Sequence, residues 1–421
     1  MEKVRKGERR RDPDGPRPLA DAVLRLIWRE RRISRASIAK KARLSRSTVS
    51  EVVAEILPTG LVEEVGLGKS RGGRRPVLLE FQYGACVILG VEMGAAHVAV
   101  ALTDLRGNVL AWEQREHPVR TDPEGTRALI AELADTCLSN EAREERPLVG
   151  IGVAIPSPFD PAHPDQLSTI VLPEWKGRLG LESLGERYGV PLMVDNDANL
   201  GALAEHWWGA GRDVDDFAYI KVATGIGSGH IIGGEIYRGA TGVAGEIGHT
   251  AIDPNGKPCI CGLRGCLVTL IGTPALVERA HELLAEHPDS MLAGGEFDIG
   301  QLEEAALVGD PVAVEVAREA AGHLGIVVAG LLNLLNPSMV VVGGDLAGLG
   351  ELLLVPLRET ARSRTLVSSV RAAEIRASEL GPKSVAIGAA TLVLKAALED
   401  SRIFPAVENH AASPVRRQRK R

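Results

Sequence analysis

The sequence predicts an α/β protein: a small basic head, then a larger acidic body with two lobes around a cleft. Three observations predict it. Residues 1–80 carry 20 Lys/Arg against 11 Asp/Glu, a charge of +9, whereas the remainder carries 29 against 44, a charge of −15, together the chain's −6. From about residue 86 onward, apolar strand-forming runs alternate with helical ones, the pattern of a layered α/β architecture. Between Gly245 and Cys266 one histidine and three cysteines crowd into a glycine-rich stretch. A length of 421 residues allows about three domains.

The head comes first. Residues 1–18 are charged and contain Pro13, Pro16 and Pro18, which predicts a disordered basic tail. A winged domain is expected over 19–82. Leu19, Ala22, Val23, Leu26 and Ile27 recur at helical spacing. Ser34 is placed to cap a second helix over Arg35–Ala42, and Ser45 a third running to about Leu57. Pro58 and Gly60 end that helix. Leu61–Val65 then alternates as a strand, and Val77–Phe81 returns as a second one across a Gly/Arg-rich hairpin.

Helix, helix, turn, helix and a two-stranded wing form a winged helix-turn-helix. The third helix opens with Ser45, Arg46, Ser47, Thr48 and Ser50, short polar and basic side chains suited to base edges in a major groove. Arg71, Arg74 and Arg75 on the wing suit phosphates or a minor groove, and Arg35 adds to the basic set. A basic head on an acidic body points to a polyanion partner, double-stranded DNA, for the head alone; the alternative is a small helical protein-interaction module whose charges are only solvated.

The body spans about 85–405. Cys86–Val91 and Val98–Thr103 read as strands on either side of a glycine turn at Gly94. Leu148–Ile155 is a buried strand closed by Pro156. Val190–Val194 leads into Asp195-Asn196-Asp197-Ala198-Asn199, a carboxylate cluster opening a helix over Leu200–Trp208, where α/β folds place ligands. Phe217–Ala223 precedes Thr224-Gly225-Ile226-Gly227-Ser228-Gly229. This is either a phosphate-contacting loop, with Thr224, Gly225 and Gly227 as donors, or a plain hairpin. Pro274–Glu286 and Pro311–Leu335 are helical. Met339–Val342 ends in Gly343-Gly344, a resting place for a nucleotide base or ribose. A last helix covers Ser384–Leu398, and residues 405–421 form a second disordered tail.

His249, Cys259, Cys261 and Cys266 supply one imidazole and three thiolates, a full tetrahedral zinc set with no open position, which predicts a structural ion. Cys86 and Cys137 stand apart, so one disulfide at most is available and a reduced, cytoplasmic setting follows. The N-terminus lacks the apolar core of a signal peptide. No uninterrupted apolar run is long enough for a bilayer; the richest, Leu324–Val342, is broken by Gly325, Gly330, Asn333, Asn336 and Pro337.

The segment from Ile33 to Ser50, with Gly73-Arg74-Arg75-Pro76, resembles the N-terminal domain of repressors in the ROK family, named for repressors, open reading frames and kinases. The resemblance continues in order through Leu89–Leu110, Ile151–Pro158, Trp175–Ala204, Ile220–Cys266 and Asn336–Gly344. It implies a two-lobed, actin-like sugar-kinase fold for the body. Lobe 1 is expected over 85–198, with the helix 384–398 returning to it, and lobe 2 over 199–383. It also implies Asp197 as general base toward a sugar hydroxyl, Asn196, Glu246 and His249 as sugar contacts, and a zinc ion holding the sugar loop.

Two departures argue against ATP and Mg²⁺ as working cofactors. Family kinases begin Asp-x-Gly-Gly-Thr, where this chain has Glu92-Met93-Gly94-Ala95-Ala96, and Val268 stands where they have a sugar-contacting glutamate. Ser157 stands where many members have glycine. The expectation is therefore a sugar-responsive repressor with operator DNA and a sugar effector as partners, and an ATP-dependent sugar kinase as the alternative. A homodimer or homotetramer, and a sugar-transport protein as a further partner, are implied by the resemblance alone.

Overall fold

Ser34 and Ser45 decide where two short helices of the head begin. The Ser34 hydroxyl accepts from the Ser37 N–H (3.2 Å) and that of Ser45 from the Thr48 N–H (3.1 Å), satisfying donors that a first helical turn leaves without partners. The computed structural model describes residues 17–68, 75–139, 146–164, 166–365 and 373–405. The described residues fall into two compact units. Those up to Cys86, with 146–149 and 394–405, form one; Val87 to Ser139 with Gly150 to Val393 form the other.

The first unit contains α1 (Pro18–Glu30), β1 (Arg32–Ser34), α2 (Arg35–Ala42), α3 (Arg46–Ile56), β2 (Val62–Leu67) and β3 (Val77–Phe81). Val23, Ile27, Ile38, Val49, Val53 and Leu79 make its core, each fully buried. Arg43, with φ +55°, turns the chain between α2 and α3. The sheet has three strands, in the order β1-β3-β2, where the sequence predicted two. β1 is too short to show alternation; its register sets Arg32 against Glu80, with an ion pair at 2.7 Å. The tails expected over 1–18 and 405–421 lie outside the described residues except for Arg17, Pro18 and Pro405, and Pro18 already belongs to α1.

The second unit carries two sheets on one plan. The first joins β4 (Val87–Met93), β5 (His97–Asp104), β6 (Val109–Glu116), β7 (Leu148–Ile155) and β8 (Leu192–Asn196) in the order β6-β5-β4-β7-β8. Helices α4 (Pro123–Ser139) and α5 (Glu182–Tyr188) precede β7 and β8, and α6 (Asp197–Trp208) follows. The second sheet joins β9 (Phe217–Val222), β10 (Ile226–Ile232), β11 (Glu235–Tyr237), β12 (Met339–Gly344) and β13 (Glu374–Ala377) in the order β11-β10-β9-β12-β13. Each sheet is a three-stranded antiparallel ribbon extended by two further strands, the outermost pair parallel.

Helices α7 (Val268–Ile271), α8 (Thr273–Leu284), α9 (Ile299–Leu307), α10 (Pro311–Leu335) and α11 (Glu351–Ser363) surround the second sheet. Their apolar faces pack with Ile220, Val222, Val340 and Val342 in one extensive core.

The last helix, α12 (Ser384–Glu399), packs without side chains at three positions. A Cβ on Gly90 of β4 would lie 1.9 Å from the Ala386 carbonyl oxygen, and one on Gly152 of β7 would lie 1.8 Å from that of Ala389. A Cβ on Gly388 would lie 1.8 Å from the Leu200 carbonyl oxygen of α6. The helix therefore seats on the first sheet and touches α6, which itself packs on the second. Residues 381–399 are long and apolar enough to cross a membrane by length and composition; the sequence predicts a last helix here but takes Leu324–Val342 as the richest apolar run, and 67% of the most apolar 18-residue window is buried within the protein, as in a core helix.

Candidate functional site

Asn196 sets the site by starting α6 three residues earlier than periodicity predicted. Its side-chain oxygen accepts from the N–H groups of Ala198 (3.0 Å) and Asn199 (3.2 Å), and its amide donates to the Ser157 carbonyl (3.1 Å). Asp197 thus becomes the first helical residue, at the positive end of the helix dipole. Gly229 of β10 has its Cβ position only 2.3 Å from the Ala198 carbonyl, so a glycine there lets the strand approach the first turn of α6.

A cleft of about 320 Å³ opens over this helix start. Asn196, Asp197, Glu246 and His249 all line it, as do Gly94, Thr224, Gly225 and Gly227. Gly343 and Gly344 do not. The Tyr219 hydroxyl lies 2.2 Å from the Cβ position of Gly343, and the Val222 backbone closes on Gly344. The Gly94 N–H is occupied by the His97 carbonyl (2.9 Å), and the His97 ring covers the glycine. Thr224 to Gly229 takes the hairpin form: Ala223 donates to the Gly225 carbonyl (3.0 Å) in a tight turn, and β10 starts at Ile226.

Sequence reasoning missed Lys221, which also lines the cleft together with His97, Arg120 and Asp345. Lys221 is 7% exposed, and its ammonium donates to Glu92 Oε1 and Asp197 Oδ2, both at 2.8 Å. Burial works against the charge of Lys221, but Asp197 and Glu92 outweigh it and hold the lysine above its ordinary range. Glu92, 3% exposed, is pushed upward by burial and pulled down more strongly by Lys221 and His97, ending at about 2. Asp197 Oδ1 accepts from its own helix, at the Ala198 N–H (2.8 Å), and from Asn196 (3.2 Å). Glu246 moves the other way: burial, then the Asp197 charge, raise it to about 7. The signal for Lys221 was present in the sequence as one charged residue inside the apolar run Phe217–Val222.

The donor atoms of His249, Cys259, Cys261 and Cys266 all lie within 4.8 Å of one another. Cys261 Sγ and Cys266 Sγ are 3.7 Å apart, and Cys259 Sγ lies 3.5 Å from His249 Nδ1. A tetrahedron with metal–sulfur bonds of about 2.3 Å has edges of about 3.8 Å, so the set fits one metal ion. His249 and Cys259 belong to both cluster and cleft wall.

In the head, Ser45, Arg46, Ser47 and Ser50 are exposed at the start of α3, and Thr48 is half-buried. The Ser50 hydroxyl is turned back to the Arg46 carbonyl (2.9 Å). Arg35 is tied to Glu64 of β2 at 2.6 Å. Arg75 is exposed; Arg71 and Arg74 lie outside the described residues.

The ROK family model matches residues 88–396. The chain is 31% identical over 379 residues to the xylose repressor of Caldicellulosiruptor bescii, a match covering 88% of this chain and 94% of that one. A solved ROK family transcriptional regulator, described as a homologue of the Escherichia coli MLC protein, superposes with a TM-score of 0.77 at 26% identity, covering 92% of this chain and 97% of that one. A ROK family glucokinase from Streptomyces griseus, solved with glucose and AMPPNP, superposes with a TM-score of 0.64 at 31% identity, covering 73% and 98%.

Proposed function

The chain belongs to the ROK family, and from that premise we propose a sugar-responsive transcriptional repressor that reads operator DNA with its head and a sugar with its cleft. The observation that carries the reading is the meeting of Asn196, Asp197, Glu246 and His249 around one cleft. These groups offer a sugar's hydroxyls acceptors from Asp197, whose carboxylate the Asn196 amide steadies, and a carboxyl at Glu246 that exchanges its proton near neutrality. The body has the actin-like fold of ROK repressors and sugar kinases.

In this reading His249, Cys259, Cys261 and Cys266 would together hold a zinc ion, and four protein donors would give it a structural part, keeping the loop that carries His249 against the cleft. Arg46, Ser47, Thr48 and Ser50 face DNA bases, with Ser45 capping their helix and Arg75 on phosphate. A dimer would present two such heads to a palindromic operator. A cytoplasmic setting suits both the free thiols and the DNA partner.

The sugar shifts the equilibrium between DNA-binding and released states by its differential affinity for the two. Phosphoryl transfer is the weaker reading, because Ala95 and Ala96 supply no hydroxyl to a phosphate and Val268 supplies no carboxylate to the sugar.

The test is footprinting of the full chain on its own upstream region, alone and with xylose, glucose, an amino sugar and their phosphates. A thermal-shift screen of the same panel runs in parallel. Protection that one sugar alters, with a matching shift in melting, is expected. No protection at any salt concentration, or brisk ATP-dependent turnover of one of the sugars, rejects the reading.

A further inference from the structure

We propose that Lys221 is a resident counter-cation, filling the place between Glu92 and Asp197 so that the cleft holds its ligand without a divalent metal. The inference rests on the sugar reading of the cleft. It concerns a residue that no motif pointed to.

The geometry is specific. Lys221 stands on β9, the central strand of one sheet, and Glu92 on β4, the central strand of the other; Asp197 opens α6. One ammonium therefore ties three elements at the floor of the cleft, 2.8 Å from each carboxylate. Two carboxylates converging on one point, in a cleft also lined by Asp345 and Glu246, have the oxygen chemistry that recruits a hard divalent cation. Here the protein supplies the positive charge itself. A buried ammonium persists only when paired, and Lys221 is paired twice.

The arrangement also restrains Asp197. Its Oδ2 is engaged by Lys221, and its Oδ1 by the Ala198 N–H and the Asn196 amide. Donors on both oxygens fix the direction of the carboxylate, and each oxygen keeps a lone pair for a sugar hydroxyl. Lys221 is thus a positioning residue: it fixes the direction of the carboxylate that meets the ligand.

The experiment titrates the purified full chain with Mn²⁺ and follows the free-ion signal by electron paramagnetic resonance. Mn²⁺ is a hard ion that the sulfur-rich cluster does not favour. Wild type is expected to bind none in the cleft up to ~1 mM. K221M and K221Q are each expected to take up one ion per chain, at least about tenfold more tightly than wild type, and adding E92Q to either is expected to abolish the uptake. K221R, which keeps the charge, is expected to behave as wild type.

Equal Mn²⁺ binding by wild type and both neutral variants, uptake that survives E92Q, or uptake by K221R overturns the proposal. A neutral variant that stays soluble only with Mn²⁺ present supports it; two neutral variants that fail to fold with or without the ion overturn it. Failure of the sugar reading is seen separately, as a wild type that no sugar of the panel shifts. For a sugar that does shift it, the shift is expected to be the same with and without added Mg²⁺.

Discussion

Glu92→Gln removes one charge of the buried bridge while keeping the side chain's shape, so its cost can be worked from the structure. Glu92 is held at about 2 against an ordinary 4.5. Burial alone would raise it; Lys221 and His97 more than reverse that. At 1.36 kcal/mol per pKa unit, the folded state favours the charged form by roughly 3 kcal/mol. Loss of one partner from a buried ion pair typically costs about 3–5 kcal/mol, which agrees.

The folded value lies below the unfolded one, so this stabilisation is complete above about pH 4.5 and is lost as pH falls through about 2. Urea unfolding followed by tryptophan fluorescence is the assay, at pH 7, 5 and 3. The variant is expected to be less stable by roughly 3 kcal/mol at pH 7 and pH 5, and by roughly 1–2 kcal/mol at pH 3, where wild-type Glu92 has given up part of its advantage. A gap under about 1 kcal/mol at pH 7, or one of equal size at pH 7 and pH 3, refutes the reasoning.

Three further outcomes are expected. Elemental analysis of the purified chain should find one zinc per chain, and Cys261→Ser should lose the ion and lower the melting temperature; protein free of zinc with an unchanged melt counts against the site. Ser45→Ala should cost about 1 kcal/mol by uncapping α3. Arg46→Ala should leave the melt unchanged while weakening operator binding and lowering the salt slope by about one. Urea unfolding checks the first variant and gel shifts across a salt series the second; operator affinity equal to wild type in Arg46→Ala removes that residue from the interface.

Local chemistry was the legible part of this chain. Ser34 and Ser45 announce helix starts because a hydroxyl just before a helical run has one obvious task, and the structure gives them that task. The Cys/His spacing announces the gathering of four donor atoms because so short a loop leaves the four side chains little else to meet. Asp197 was assigned to the turn before the helix because periodicity starts with apolar residues, whereas the helix starts with the Asn196 cap.

Pairing over long separations was not legible. Lys221 meets Asp197 24 residues away and Glu92 129 residues away, and only the two sheets bring them together. A lysine in a buried strand signals that some partner exists; nothing local says which. Gly343 and Gly344 misled in the opposite direction, since glycines that admit a ligand and glycines that admit a neighbouring ring or backbone look alike in a sequence.

The bare seat of α12 has a mechanical consequence. Helices that interlock through side chains resist gliding, because every tooth must climb out of its socket. At Gly90, Gly152 and Gly388 there are no teeth: main chain lies on main chain. Those points tolerate no added methyl group, and around them Thr391 accepting from the Trp208 indole, Ser384 bonded to the Tyr219 hydroxyl and Val385 packed on Leu200 and Leu203 pin the helix against gliding. The seat is closed to mutation where it is bare and closed to motion where it is not.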